Sequence, residues 1–241
     1  MLDLGTGLRY WGDTLPKDGS FRGAALITHL HWDHVQGLPF FAPIDRPGAC
    51  FDIYGPAQHE GPLDEVFGDL MRPPYFPVRF SELRGDIRFH AITDGDLAIG
   101  NAKVKVRPVP HPGPTVGYRI EWDGTVVTYI SDHQEPADGS KRVPDHVLEL
   151  ADGADLLIHD AQYTPEEFAE KRHWGHCTVN YAVEVASRAS VKTLCLFHHD
   201  PSHGDDAVDR MLGRAFDARN GTGAPNEILA AAEGLAVSLG G

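Results

Sequence analysis

The sequence predicts an α+β fold built on a sheet scaffold, and three observations lead there. Short apolar or alternating runs recur between helical patterns, an apolar share of 41% over 241 residues is enough for a substantial core, and most predicted strands end in a polar residue. Strands are expected at 24–28, 50–54, 103–109, 116–121, 125–130, 155–159 and 193–197. Helices are expected at 62–71, at 165–172 after Thr164-Pro165, at 178–189, and at 205–216 following Ser202. No linker or low-complexity tract divides the chain, so one domain over 1–241 is expected.

Composition narrows the function classes. The net charge is −14, and two bound divalent cations would leave it strongly negative. Affinity for a long nucleic acid comes largely from Lys and Arg neutralising phosphates, so a long polyanion is disfavoured as partner. No stretch has the length of a membrane span and no signal peptide opens the chain. Cys50, Cys177 and Cys195 form no C-x-x-C pair and are odd in number, which fits a reducing compartment, the cytoplasm by default.

Taken in chain order, the first informative element is the apolar run 24–27, which leads into Thr28-His29-Leu30-His31-Trp32-Asp33-His34. His29 and His31 project to one side of an extended segment, and Asp33 and His34 can turn back from the following loop. Four potential ligands in six positions outline a metal site, and Trp32 among them suggests a walled pocket. Residues 72–78, Arg-Pro-Pro-Tyr-Phe-Pro-Val, read either as a stiff wall over a site, with Tyr75 or Phe76 stacking on a base or sugar ring, or as a proline-rich surface connection. Arg72 and Arg79 are candidate phosphate contacts. The alternating stretch 102–109 precedes His111, and a hairpin turning at Asp123-Gly124 precedes Asp132. The apolar run 154–158 brings His159, read as core, and Asp160; Gly175-His176-Cys177-Thr178 opens a helix, with Thr178 as a cap and Cys177 as a small buried thiol. His198 follows the strand at 193–197. Asp200, Asp205 and Asp206 read as a solvated, capped helix start rather than a third metal site.

His29, His31, Asp33 and His34 match the H-x-H-x-D-H signature, and with His111, Asp132 and His198 after later strands the chain resembles the metallo-β-lactamase superfamily over nearly its whole length. That resemblance implies a four-layer αββα sandwich with two divalent ions. His29, His31 and His111 would hold one ion, Asp33, His34 and His198 the other, and Asp132 both. Imidazole and carboxylate ligands without thiolate suit zinc first, with manganese or iron as alternatives. His31 stands where the oxygen-reducing diiron branch has Glu, which argues against redox chemistry.

Asp160 and His176 resemble a pair of the ribonuclease Z branch and of the cyclic phosphodiesterases similar to it. There the His acts on the leaving group and the carboxylate orients it; here Asp replaces the more usual Glu. The role requires the protonated imidazole. Asp33, Asp160 and His176 are thus the expected catalytic residues and Arg72, Tyr75 and Phe76 the expected substrate contacts. The implied activity is hydrolysis of a phosphodiester in a small or cyclic nucleotide or sugar phosphate by a hydroxide shared between the metals. The phosphoribosyl cyclic phosphodiesterase group is the nearest in kind. A lactone or thioester hydrolase can use the same seven ligands, and a metal-dependent nucleotide-sensing module without turnover is the reading from another class. Ribonuclease Z enzymes usually carry a long tRNA-gripping arm between the positions of His111 and Asp132; here the interval is 21 positions and is mostly one hairpin. Relatives also have one or two strands before the segment matching 2–7; either the true start lies upstream or an edge strand is missing, and in the second case the unpaired edge leads to a homodimer or limited solubility.

Overall fold

The computed structural model describes residues 1–219 and 223–239. Its contacts divide the chain into two compact units, Met1–Thr93 and Asp94–Gly241, each with its own apolar core.

The first unit runs α1 (Leu8–Thr14), β1 (Arg22–Leu26), α2 (Trp32–Val35), β2 (Cys50–Gly55), α3 (Leu63–Gly68) and β3 (Asp86–Ala91). Its strands pair in parallel in the order β1-β2-β3, so all three send their carboxyl ends to one edge. Alternate residues of β2, Phe51 and Ile53, are buried, and Phe21 meets Phe41 edge-on at 5.2 Å in the same core. Beside β1 the first residues continue the pairing: Leu26 N–H donates to the Met1 carbonyl at 3.0 Å and Asp3 N–H to the Leu26 carbonyl at 2.9 Å. The following loop lies backbone to backbone on the segment after β1. Leu4 N–H donates to the His34 carbonyl (2.6 Å) and Gly37 N–H to the Leu4 carbonyl (2.8 Å). A Cβ on Gly37 would collide with the Gly5 carbonyl, so that approach requires glycine.

The second unit runs β4 (Gly95–Ile99), β5 (Ala102–Pro108), β6 (Val116–Trp122), β7 (Thr125–Ile130), α4 (Asp145–Ala151), β8 (Leu156–Asp160), α5 (Pro165–Lys171), α6 (Val179–Arg188), β9 (Thr193–Phe197), α7 (Asp205–Ala218) and β10 (Glu227–Ala230). Its sheet has the order β10-β9-β8-β7-β6-β5-β4, antiparallel from β4 to β7 and parallel from β7 to β10. Two antiparallel steps restore direction, so β5 runs with β7, β8 and β9, and all four end at one edge. The β6–β7 hairpin turns through Asp123 and Gly124, both at positive φ (50° and 76°), which the two-residue primed turn requires. In α6 the buried residues Val179, Ala182, Val183 and Ala186 recur at helical spacing and cover this sheet's core with Leu157 and Leu194.

Several expectations shift. The strand expected at 24–28 starts two residues earlier, and the helix expected at 62–71 stops at Gly68, beyond which turns carry the chain. Asp33 and His34 lie on the helical turn α2 and not in a loop, because the chain reverses at once after His31 to bring the 34–37 backbone onto Leu4. Trp32 walls nothing: it is 75% exposed, since that turn buries His34 and Val35 on its other face.

Candidate metal centre and catalytic pair

Each unit carries a cluster of imidazoles and carboxylates at the edge where its parallel strands end. In the first unit the rings of His29 and His31 lie 4.3 Å apart and those of His29 and His34 4.2 Å apart. Asp33 Oδ2 lies 3.1 Å from His34 Nε2 and its side chain is exposed. One residue orients this cluster. The buried Asp3, at φ 50°, accepts from the Thr28 backbone N–H (2.7 Å) and hydroxyl (3.0 Å), and from His34 Nδ1–H (2.7 Å). The Thr28 hydroxyl has one proton, and that proton goes to Asp3; its oxygen, 3.1 Å from His29 Nδ1, therefore accepts from the ring. A single carboxylate thus places protons on both Nδ1 atoms and leaves both Nε2 lone pairs as donors, the outer-sphere arrangement of metal-binding histidines. In sequence the loop Asp3-Leu4-Gly5-Thr6-Gly7 reads equally as a segment near the metals or as a plain Gly-rich turn, and nothing in it singles out Asp3.

In the second unit the residues following four codirectional strands come together. His111 follows β5, Asp132 follows β7, Asp160 ends β8 and His198 follows β9. Asp132 Oδ2 lies 3.9 Å from His111 Nε2, 3.5 Å from His198 Nε2 and 3.6 Å from His176 Nδ1. His111 Nδ1–H donates to the Gly175 carbonyl at 2.7 Å, which leaves Nε2 as its donor atom. Gly175, at φ 98°, packs so closely that a Cβ would stand 2.5 Å from His111 Cε1. Gln162 Nε2 lies 3.0 Å from His198 Nδ1, so the carboxamide N–H donates to that ring nitrogen; rotating the amide by 180° would turn its oxygen to the ring and leave the imidazole Nε2 as the donor atom. Oxygen and nitrogen donors from Asp132, His176 and His198 lie within 4.8 Å of one another. These donor sets fit divalent zinc, manganese or iron, and in His29, His34 and His111 the Nδ1 atom is bonded to a fixed partner, the support such a role demands.

His176 stands just before the α6 cap, where Thr178 accepts from Tyr181 N–H. Its Nδ1–H donates to Asp160 Oδ2 at 2.9 Å, so the shorter Asp reaches the imidazole directly. Asp160 is itself fixed by the N–H groups of His133 (3.0 Å) and Gln162 (3.0 Å). The His176 ring stacks on that of His198 at 4.9 Å and meets Tyr163 edge-on. Behind Asp160 lies a chain that the sequence did not disclose. Buried His159 donates from Nδ1 to the Asp160 carbonyl (2.7 Å) and accepts at Nε2 from His133 Nδ1–H (3.0 Å). Burial holds both imidazoles below their usual pKa, so both are neutral, and pushes the Cys177 thiol, which donates to the same carbonyl, well up. His159 is core, as expected, yet bonded at both nitrogens.

The remaining expected contacts are all in the first unit. Tyr75 is 79% exposed, Phe76 packs edge-on against Phe40 at 5.9 Å, and Arg72 is paired with Asp69 at 2.7 Å. Arg72 and Arg79 also line a cavity of about 710 Å³ between α3 and β3, floored by Phe80, Ile87 and Phe89. Asp200 accepts from the Ser202 hydroxyl and N–H and from Lys171; burial raises its pKa, but the Ser202 bonds first and the Lys171 ammonium second hold it well below the usual carboxylate range, while Asp205 and Asp206 open α7.

A chain of this sheet topology, with histidines and aspartates at its strand ends, has the architecture of a metallo-hydrolase. The family described as Beta-lactamase superfamily domain matches residues 16–199. A ribonuclease Z of Brevibacillus brevis is 38% identical, over 89% of this chain and 81% of that protein. The human tRNase Z short form superposes with a TM-score of 0.69 at 20% identity, over 99% of this chain and 87% of that one. A diphosphatase of the PhnP family superposes with a TM-score of 0.66 at 21% identity, over 99% and 79%. The chain belongs to the metallo-β-lactamase superfamily, in its ribonuclease Z-like branch, and is with that family a metal-dependent hydrolase of α+β fold. No helix among the described residues is long and apolar enough to cross a membrane.

Proposed function

We propose that the two clusters close on a pair of divalent cations and that the chain hydrolyses a phosphodiester in a small or cyclic nucleotide or sugar phosphate. His29, His31 and His111 would take one ion, Asp33, His34 and His198 the other, and Asp132 both, with the two units acting as one catalytic domain. Bound there, the ions would lower the pKa of a water toward neutrality and offset charge on the phosphate's non-bridging oxygens. The observation that carries the reading is the Asp160–His176 hydrogen bond, 2.9 Å long, beside Asp132. Because Nδ1–H is committed to Asp160, the proton His176 gives to a departing alkoxide comes from Nε2, and Asp160 holds the ring while the phosphorus–oxygen bond breaks. A phosphodiester with an alkoxide leaving group needs that proton.

Small substrates are favoured over tRNA on two grounds. The net charge is −14, and the stretch between His111 and Asp132 is a short loop and the β6–β7 hairpin. The relatives' name favours RNA, so RNA belongs in the test. Arg72, Tyr75 and Phe76 belong to the reading as substrate contacts. Pairing with a second copy belongs to it as well; a monomer by light scattering at high concentration would remove that part.

The test is a panel of bis-aryl phosphate, 2′,3′-cyclic and 3′,5′-cyclic nucleotides, a tRNA precursor, a lactone and a thioester, each with zinc or manganese, before and after chelation. Turnover of the cyclic diesters, lost on chelation and restored by metal, is expected. Hydrolysis of the lactone or thioester alone, or of the tRNA precursor alone, would overturn the small-phosphodiester reading.

A further inference from the structure

We propose that Trp174, with Lys171 behind it, forms the leaving-group subsite of this centre and that this subsite takes the flat aromatic base of a nucleoside. The proposal rests on the reading of His176 as the group that protonates the leaving oxygen, and it adds what that leaving group carries. Trp174 is 65% exposed, two residues before His176 on the segment joining α5 to α6. Two side chains link it to the catalytic imidazole: the Lys171 ammonium stands 5.7 Å from the centre of the Trp174 ring and 4.7 Å from that of Tyr163, and the Tyr163 ring meets His176 edge-on at 5.8 Å.

Buried Tyr163 and the Asp200 carboxylate, 2.9 Å from the ammonium, fix Lys171 in place. Lys171 therefore braces one face of the indole by a cation–π contact and the ring presents its remaining surface to water. The backbone beneath is fixed as well. Gln134 donates from Nε2 to the Arg172 carbonyl (2.8 Å) and accepts from Gly175 N–H (2.8 Å), while Trp174 N–H donates to the Lys171 carbonyl (3.0 Å). A large ring mostly in solvent, braced on one face by an ammonium and two residues from the proposed general acid, offers a surface on which a planar ring can stack. The chain's excess of acid disfavours a long polyanion, so the base is that of a single small nucleotide.

Two substrates isolate this contact: adenosine 2′,3′-cyclic phosphate and 1-O-methylribose 2,3-cyclic phosphate, which share the phosphorus and the leaving hydroxyls and differ in the base. Wild-type protein should show a KM at least about fivefold lower for the adenosine diester. Trp174→Ala should erase that preference with metal content unchanged, Trp174→Phe should keep most of it, and Lys171→Met should lose part of it. A binding arm needs no turnover: adenosine titrated calorimetrically into the His176→Ala protein should bind, and into His176→Ala with Trp174→Ala at least about fivefold more weakly. If neither diester is cleaved but adenosine binding depends on Trp174, the catalytic reading fails and the subsite stands. If Trp174→Ala changes both KM values alike or neither, or if adenosine binding is absent or indifferent to Trp174, the subsite is overturned.

Discussion

The two units arrange their histidines by different means. In Met1–Thr93 the imidazoles come from six consecutive positions, and one carboxylate, Asp3, orients two of them directly or through Thr28. In Asp94–Gly241 each imidazole comes from a separate strand end or loop and has its own partner: the Gly175 carbonyl for His111, Gln162 for His198, Asp160 for His176. The first arrangement is local and shares one support; the second is assembled by sheet register and distributes its supports. Damage to a single support should therefore spread further in the first unit than in the second.

The largest effect tests the proposed union of the two clusters. Asp132→Ala should lower the metal content of the purified protein below two ions and reduce diester hydrolysis by about a thousandfold or more, read by elemental analysis and kcat. Full metal content with near-normal turnover would separate the clusters. Next comes His176→Ala, expected to slow diesters with alkoxide leaving groups by about a hundredfold or more and activated aryl esters far less. Equal losses on both would remove the acid role.

Asp3→Ala set against Gln162→Ala probes the contrast itself. Losing an outer partner typically costs 10- to 100-fold in metal affinity; Asp3→Ala, which frees two imidazoles, should fall at the top of that range, and Gln162→Ala, which frees one, near about tenfold. Competition with a chelator measures both, and equal effects would dissolve the distinction. The smallest effect is on stability. Burial holds neutral His133 and His159 below the ordinary imidazole pKa, so the unfolded chain binds more protons than the folded one as pH falls below about 6.5. Stability of the second unit should then drop with acidification by up to about 1.4 kcal/mol per pH unit for each imidazole. Hydrogen exchange resolved by unit should show the loss in 94–241, and a His159→Gln variant should reduce the slope.

The first unit's cluster was legible in the sequence because its imidazoles and carboxylate are neighbours along the chain. The second unit's landmarks were legible through the family resemblance, which places polar residues after strands, and the strands at 125–130 and 193–197 lie where they were expected. Other elements escaped. β3, Asp86–Ala91, alternates but carries Asp, Arg and His on its outer side, which weakens the apolar signal; α4 hides seven residues behind Pro144; β4 and β10 are short. Asp3 escaped because nothing in Leu-Asp-Leu-Gly says which imidazole its carboxylate meets, and Gln162 because a lone Gln after a strand has no pattern.

Ligand chemistry is therefore a property of the residue string: which side chains can bind a cation, and that they stand where strands stop, follow from composition and period alone. Which nitrogen of each imidazole is left to bind is a property of the tertiary structure, because it depends on partners 16 to 64 positions away, Asp160 for His176 and the Gly175 carbonyl for His111, that only pairing and packing bring within 3 Å.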